Sequence, residues 1–369
     1  MVSAWYGFSE LLKSHVRAVK FLIKKNDPIE IGGVSVDPGQ RRTIDLGVGQ
    51  LYSHNPITMP VHVVNGRRQG PRLFVSAAVH GDELNGIEII RRLLAQSSLK
   101  KLHGTLLAVP IVNTLGVLHQ SRYLPDRRDL NRSFPGSETG SLTARVANVF
   151  MKEIVERATH GIDLHTGAIH RSNLPQIRAM LDDEETLRLA KAFGAPVILH
   201  SNLKDGSLRQ IASDRGIPML LFEGGEALRF DELSIRAGLR GLLRVMRELE
   251  MLPRGKRTAA SSDPIVARSS SWVRAPVSGI FRMMVRLGEL VDKSQRLGAI
   301  SNPFGGAEED VLAPFSGLVI GRSNIPLTHE GDALFHLARL GAGVSASDID
   351  ELADLADEAG AAYYDSGTV

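Results

Sequence analysis

The stretch SAAVHGDELNGIEIIRRLL, residues 76–94, commits the chain to a strand, a tight turn and a helix, and it sets two potential metal ligands at the junction. The apolar run LFVSAAV (73–79) is long enough for a buried strand, and Ile87, Ile90, Leu93 and Leu94 then recur at helical spacing. His80 falls at the strand's C-terminal tip. Glu83 falls in the first turn of the expected helix, where a carboxylate also suits the helix dipole. With two residues between them, an imidazole nitrogen and a carboxylate oxygen can reach one ion at about 2.0 to 2.2 Å, distances that suit zinc. An isolated HxxE is more often a solvated turn, so the rest of a site must come from elsewhere in the chain.

A second apolar segment, GIDLHTG (161–167), ends in His165. His, Glu and His leave a tetrahedral ion one open position for water, the pattern of a catalytic site. Structural zinc prefers thiolates, and this chain has no cysteine. A third buried run, MLLFEGGEAL (219–228), ends in Glu223 before two glycines, where a carboxylate can serve as general base. Between the first two elements lies SRYLPDRRDLNRSFPG (121–136), dense in arginine. Arg122 suits an oxyanion, while Asn131 and Arg132 suit a substrate carboxylate. Arg127 and Arg128 read as a solvated basic loop.

Taken in order, His80, Glu83, Arg122, Asn131 with Arg132, His165 and Glu223 give the chain a resemblance to the succinylglutamate desuccinylase and aspartoacylase family, relatives of the zinc carboxypeptidases. The likeness covers about residues 40–340. It implies one zinc per chain on His80, Glu83 and His165, an arginine before DLNR that polarises the scissile carbonyl, and a glutamate in an E-x-G setting that activates water. Glu223-Gly224-Gly225 matches that last setting. The spacer to Asn131 leaves Arg127 or Arg128 as alternatives for the polarising role, with Arg122 favoured by its Arg-Tyr pair. Arg178 is a weaker candidate for a second substrate contact. His119, His170 and His200 have no motif support.

Strands are expected over 58–66, 73–79, 105–112, 161–165, 195–200 and 218–223, with helices near 84–96, 141–159, 184–193 and 230–250. Such alternation argues for an α/β fold, a three-layer α/β/α domain on a mostly parallel mixed sheet, with ligands gathered at the strands' carboxyl ends. The expected hydrolase domain spans 1–255 and opens with an amphipathic helix over 1–26. A Ser-, Ala- and Arg-rich linker (256–271) precedes a small C-terminal β-barrel (272–340), in which RAPVSGIF (274–281) is echoed by LAPFSGLV (312–319). This part resembles the biotinyl/lipoyl-like fold. A carrier domain needs a lysine in a tight hairpin, and the corresponding stretch is ISNPFGG, so a cap over the site or a homo-oligomer contact fits better. An acidic tail without Lys or Arg, read as mobile, fills 341–369.

The composition, 43% hydrophobic with a formal charge of +3, can supply a core and gives no reason to expect nucleic acid as a partner. No apolar run reaches the roughly 18 to 20 residues of a membrane helix, and the N-terminus lacks a signal peptide's apolar centre, which points to the cytoplasm. The expected activity is a zinc amidohydrolase that deacylates a small N-acyl amino acid or related carboxylate. A zinc carboxypeptidase or esterase is the alternative.

Overall fold

The computed structural model describes residues 24–254, 264–306 and 308–340. The acidic tail and residues 256–263 of the expected linker lie outside the described residues. Of the helix expected over 1–26 only the last three residues are described, and there Lys25 bridges to Arg68 instead of continuing a helix.

After a hairpin of β1 (Ile29–Ile31) and β2 (Val34–Val36), the chain builds one mixed sheet. Its order runs β3 (Arg41–Gln50), β4 (Pro56–Asn65), β6 (His103–Val109), β5 (Arg68–Ala77), β7 (His160–Gly167), β10 (Met219–Glu226) and β8 (Arg171–Ala179). On the far edge of β8, β9 (Val197–His200) pairs with its C-terminal half and is flanked by β11 (Ile265–Ala267). Six α-helices are described: α1 (Asn85–Leu94), α2 (Thr114–Leu118), α3 (Leu142–Glu153), α4 (Glu184–Phe193), α5 (Leu208–Asp214) and α6 (Glu232–Glu248).

The three layers follow from alternation along buried strands. In β5 and β6, Phe74, Leu107 and Val109 pack with Val146 and Phe150 of α3 and Leu208 of α5. Their neighbours Leu73, Val75, Leu106 and Ala108 face the other way, onto Ile89 and Leu93 of α1, Phe193 of α4 and Val245 of α6. Phe74 has no exposed surface, so truncating it to alanine should cost about 3 to 5 kcal/mol. Side chains cap most helix starts: Ser141, Asp183, Ser207 and Asp231 each accept a backbone N–H of the first turn.

Two features refine the expected architecture. Parallel pairing is confined to β5–β6, β5–β7, β7–β10, β8–β9 and β9–β11, and both flanks are antiparallel. One reason is β8, which the sequence reading missed. Only residues 168–170 separate it from β7, too few for a crossover, so it runs back antiparallel to β10. Pro175 hides this strand by removing a ladder donor. It is tolerated because the register shifts between Glu223↔Gln176 and Gly225↔Asn173.

The second concerns the expected small C-terminal β-barrel, whose strands are joined to the main sheet. β12 (Ser269–Arg274), β19 (Ala333–Arg339) and β17 (Gly317–Ser323) continue the main sheet, because β17 pairs with the start of β8. Leu318, Ile320 and Ala338 share an apolar cluster with Leu174, Val197 and Leu199. β14 (Leu290–Val291) pairs with β17, and a second sheet of order β16 (Glu308–Leu312), β15 (Arg296–Ser301), β13 (Gly279–Met283), β18 (Leu327–Thr328) covers a core with Phe281, Leu297 and Phe335. Residues 265–267 and 269–271 of the expected linker are therefore strand. Among the described residues no helix is long and apolar enough to cross a membrane.

Candidate metal centre

His80, Glu83 and His165 are buried, and one potential ligand atom from each lies within 4.8 Å of the others. A sharp turn brings His80 there. Ala78 adopts a left-handed φ of 51°, and the carbonyls of Ala77 and Ala78 accept the N–H groups of Val112 and Asn113 at 3.1 and 2.9 Å. Gly81 is needed because a Cβ would come within 2.0 Å of the Gly116 carbonyl carbon. The Glu83 N–H donates to the His80 carbonyl at 3.2 Å, and α1 starts only at Asn85. Glu83 thus sits in the turn before the helix, not in its first turn. Asn85 ties this turn to the third motif by donating to the Gly224 carbonyl at 3.0 Å and accepting the Asp231 N–H at 2.9 Å.

The Nδ1 atoms of His80 and His165 lie 2.8 and 2.7 Å from the two Glu83 oxygens. The opposite nitrogens face other carboxylates, His80 Nε2 at 3.1 Å from Asp129 and His165 Nε2 at 2.7 Å from Asp163. Asp163 has no exposed surface and also accepts the Ser76 hydroxyl at 2.7 Å. Burial opposes charge on either imidazole. The surrounding carboxylates outweigh it and raise both pKa values, that of His165 well above the usual range. Burial likewise opposes ionisation of Glu83 and Asp129, yet the imidazoles hold both carboxyls well below the usual carboxylate range, with Arg122 adding to the effect on Asp129. Positive charge is therefore favoured where the two Nδ1 atoms meet Glu83. A zinc ion fits that demand: two imidazoles and a carboxylate are an ordinary catalytic donor set, and each histidine has a carboxylate to orient it.

Other predicted residues line the same cavity, whose volume is about 200 Å3. Arg122 donates to Asp129 at 3.0 Å and lies 3.4 Å from Glu83. Arg127 and Arg128 are exposed and do not line the cavity. Asn131 is buried with its Oδ1 accepting the Leu208 N–H at 2.9 Å, which leaves only its Nδ2 donor for a ligand. Arg132 is exposed at the cavity and hydrogen-bonds the Asn131 carbonyl. Glu223 is in register with His165 on the neighbouring strand. Its carboxylate is held by Arg178 at 3.1 Å and by the Asn173 amide. Arg178, expected to contact substrate, is therefore already paired with Glu223.

Sequence reasoning missed Asp163, Asp129, Asn173, Arg209 and Trp272, all at the site. Asp163 was within reach, since residues two apart on a strand share a face and it precedes His165 by two. Asp129 stands beside the DLNR asparagine. Trp272 had no signal, because only the sheet topology brings β12 to the cavity. The lining carries Arg122, Arg132, Arg171, Arg178, Lys204 and Arg209 against Glu83, Asp163 and Glu223, a positive balance that favours an anionic ligand.

Residues 69–249 match the succinylglutamate desuccinylase/aspartoacylase catalytic domain. The chain is 28% identical over 343 residues to the N-alpha-acetyl-L-2,4-diaminobutyric acid deacetylase of Halomonas elongata, covering 83% of this chain and 98% of that protein. It is similar in structure to a succinylglutamate desuccinylase/aspartoacylase from Rhodobacter sphaeroides, with TM-score 0.73, 25% identity, and 82% and 96% of the two chains covered. The product-bound ectoine utilization protein EutE of Ruegeria pomeroyi gives TM-score 0.74 at 25% identity over 85% and 99%. The match spans every candidate metal ligand, so residues 69–249 form a catalytic domain of the succinylglutamate desuccinylase and aspartoacylase family, whose members hydrolyse amide bonds.

Proposed function

We propose that this protein is a zinc-dependent deacylase of small N-acyl amino acids, with the metal on His80, Glu83 and His165. One observation carries the reading: these three buried side chains converge at the strand tips, and Glu223 stands in register with His165 in the same cavity. When bound, zinc supplies Lewis acidity and lowers the pKa of water towards about 7. Glu223 takes a proton from the attacking water and passes it to the leaving nitrogen, so that the C–N bond breaks to a carboxylate and an amine. Arg178 and Asn173 hold the Glu223 carboxylate in place. Arg122 donates to the carbonyl oxygen as negative charge develops there. Arg132 and the Asn131 amide receive the substrate carboxylate.

The H. elongata relative, a deacetylase by name, favours deacylation over carboxypeptidase action. The H. elongata relative's name makes N-acetyl amino acids the first compounds to try. The test is a panel of N-acetyl, N-succinyl and N-formyl amino acids, with the corresponding methyl esters and dipeptides, incubated with zinc-loaded protein while free amine is measured. Amine release from acyl amino acids is expected. Release only from dipeptides, or cleavage of esters alone, would replace the reading.

A further inference from the structure

Trp272 reaches the cavity from β12, outside the matched catalytic segment. Its indole lies flat against the imidazole of buried His336, with ring centroids 4.7 Å apart and planes 7° from parallel. His336 is fixed in turn by a 2.9 Å hydrogen bond with the Ser270 hydroxyl. Burial, then the charge of Arg178, pushes the His336 pKa down to about 3, so the floor under the indole is neutral at physiological pH. The guanidinium carbon of Arg171 stands 5.2 Å from the indole centroid, within cation–π range.

Each of the cavity's other arginines has a protein acceptor, and Arg122 and Arg132 are already assigned to the substrate carbonyl and the first carboxylate. Arg122 faces Asp129 and Glu83, Arg178 faces Glu223, Arg132 bonds the Asn131 carbonyl and Arg209 bonds the Ser201 carbonyl. Arg171 has no carboxylate within salt-bridge distance among the described residues, and its side chain is exposed. An aromatic face orients a guanidinium without using its N–H donors, which leaves the fork free for a planar anion.

We propose that Arg171, held on Trp272, is a specificity-determining residue that binds a second carboxylate of the substrate, distinct from the one assigned to Asn131 and Arg132. Trp272 is then a positioning residue, and the C-terminal strands take part in substrate choice. This rests on the deacylase reading. The second carboxylate can belong to the amino-acid side chain or to the acyl group.

Two matched pairs separate these sources: N-acetylaspartate against N-acetylasparagine, and N-succinylalanine against its succinamide analogue, each assayed with the zinc-loaded full chain. In at least one pair the wild type should favour the acid. Arg171→Met should erase that preference through KM, weakening the acid about ten- to hundredfold while leaving the neutral partner within about twofold. Trp272→Leu should lose part of the preference and Trp272→Phe should keep most of it. A merely structural role would move acid and amide together, and that outcome overturns the proposal, as does an unchanged preference in Arg171→Met. Calorimetric binding of succinate gives a readout independent of turnover. If no acyl compound is hydrolysed but succinate affinity still drops in Arg171→Met, the deacylase reading fails while the anion site stands. Equal succinate affinity in both proteins counts against the site itself.

Discussion

Asp163→Asn is the perturbation that most isolates the architecture of the centre. Asp163 is fully buried and makes two 2.7 Å contacts, to His165 Nε2 and the Ser76 hydroxyl. Asparagine fills the same volume. Its oxygen can still accept from His165 and its amide can donate to Ser76, so neither partner is orphaned and what disappears is the negative charge. In the proposed centre that charge strengthens the hold on Nε2–H and makes Nδ1 a better donor to a metal. Losing such a partner weakens metal binding by about 10- to 100-fold, or about 1.4 to 2.7 kcal/mol. Zinc affinity measured by competition with a chelator should fall within that range, with circular dichroism unchanged. Asp163→Ala should do worse, because two buried groups lose their partner at about 1 to 3 kcal/mol each, and its unfolding midpoint should drop as well. Wild-type zinc affinity in Asp163→Asn would refute the claim that this carboxylate orients a metal ligand.

Metal analysis of the purified protein should find about one transition ion per chain, and His80→Ala or His165→Ala should remove most of it, since only three protein ligands hold the ion; full occupancy in both variants contradicts the assignment. Arg132→Ala should mainly raise KM and Arg122→Ala mainly lower kcat, because the first acts on bound substrate and the second on developing charge. A kcat loss in Arg127→Ala or Arg128→Ala with Arg122→Ala unaffected would move the polarising role. His336 should give stability a pH dependence. Its imidazole titrates near 6.5 in the unfolded chain and near 3 in the folded one, so the unfolded chain binds the extra proton between these values and stability falls as pH drops through that window. His336→Phe keeps a ring under Trp272 and should flatten the urea midpoint between pH 6 and 4; an unchanged slope rules this out.

The convergence of the candidate residues was legible where the site and the fold use the same positions. His80, His165 and Glu223 each end an apolar run, and a buried strand that delivers a ligand at its tip leaves both signals in the sequence. Helix positions were read closely where a cap and a periodic apolar face agree, as with Asp183 before α4. β8 was hidden by Pro175, whose tolerance depends on a register shift that only the partner strands determine. The second carboxylates on the histidines were hidden for another reason: Asp129 contacts His80 across 49 positions, and no local pattern encodes that distance. The C-terminal strands looked separable because their apolar repeats describe their own core, while the pairing of β17 with β8 rests on backbone hydrogen bonds that carry no sequence signature.

The central claim, a metal-dependent hydrolase with Glu223 as proton carrier, is tested most directly by measuring bound zinc and kcat together in the wild type and Glu223→Gln. Glutamine keeps the contacts' shape but accepts no proton at neutral pH. Zinc should stay at about one per chain while kcat falls by roughly 10² to 10⁴. A wild-type kcat in Glu223→Gln would contradict the account and pass the role to another group, with Glu226 the first to examine.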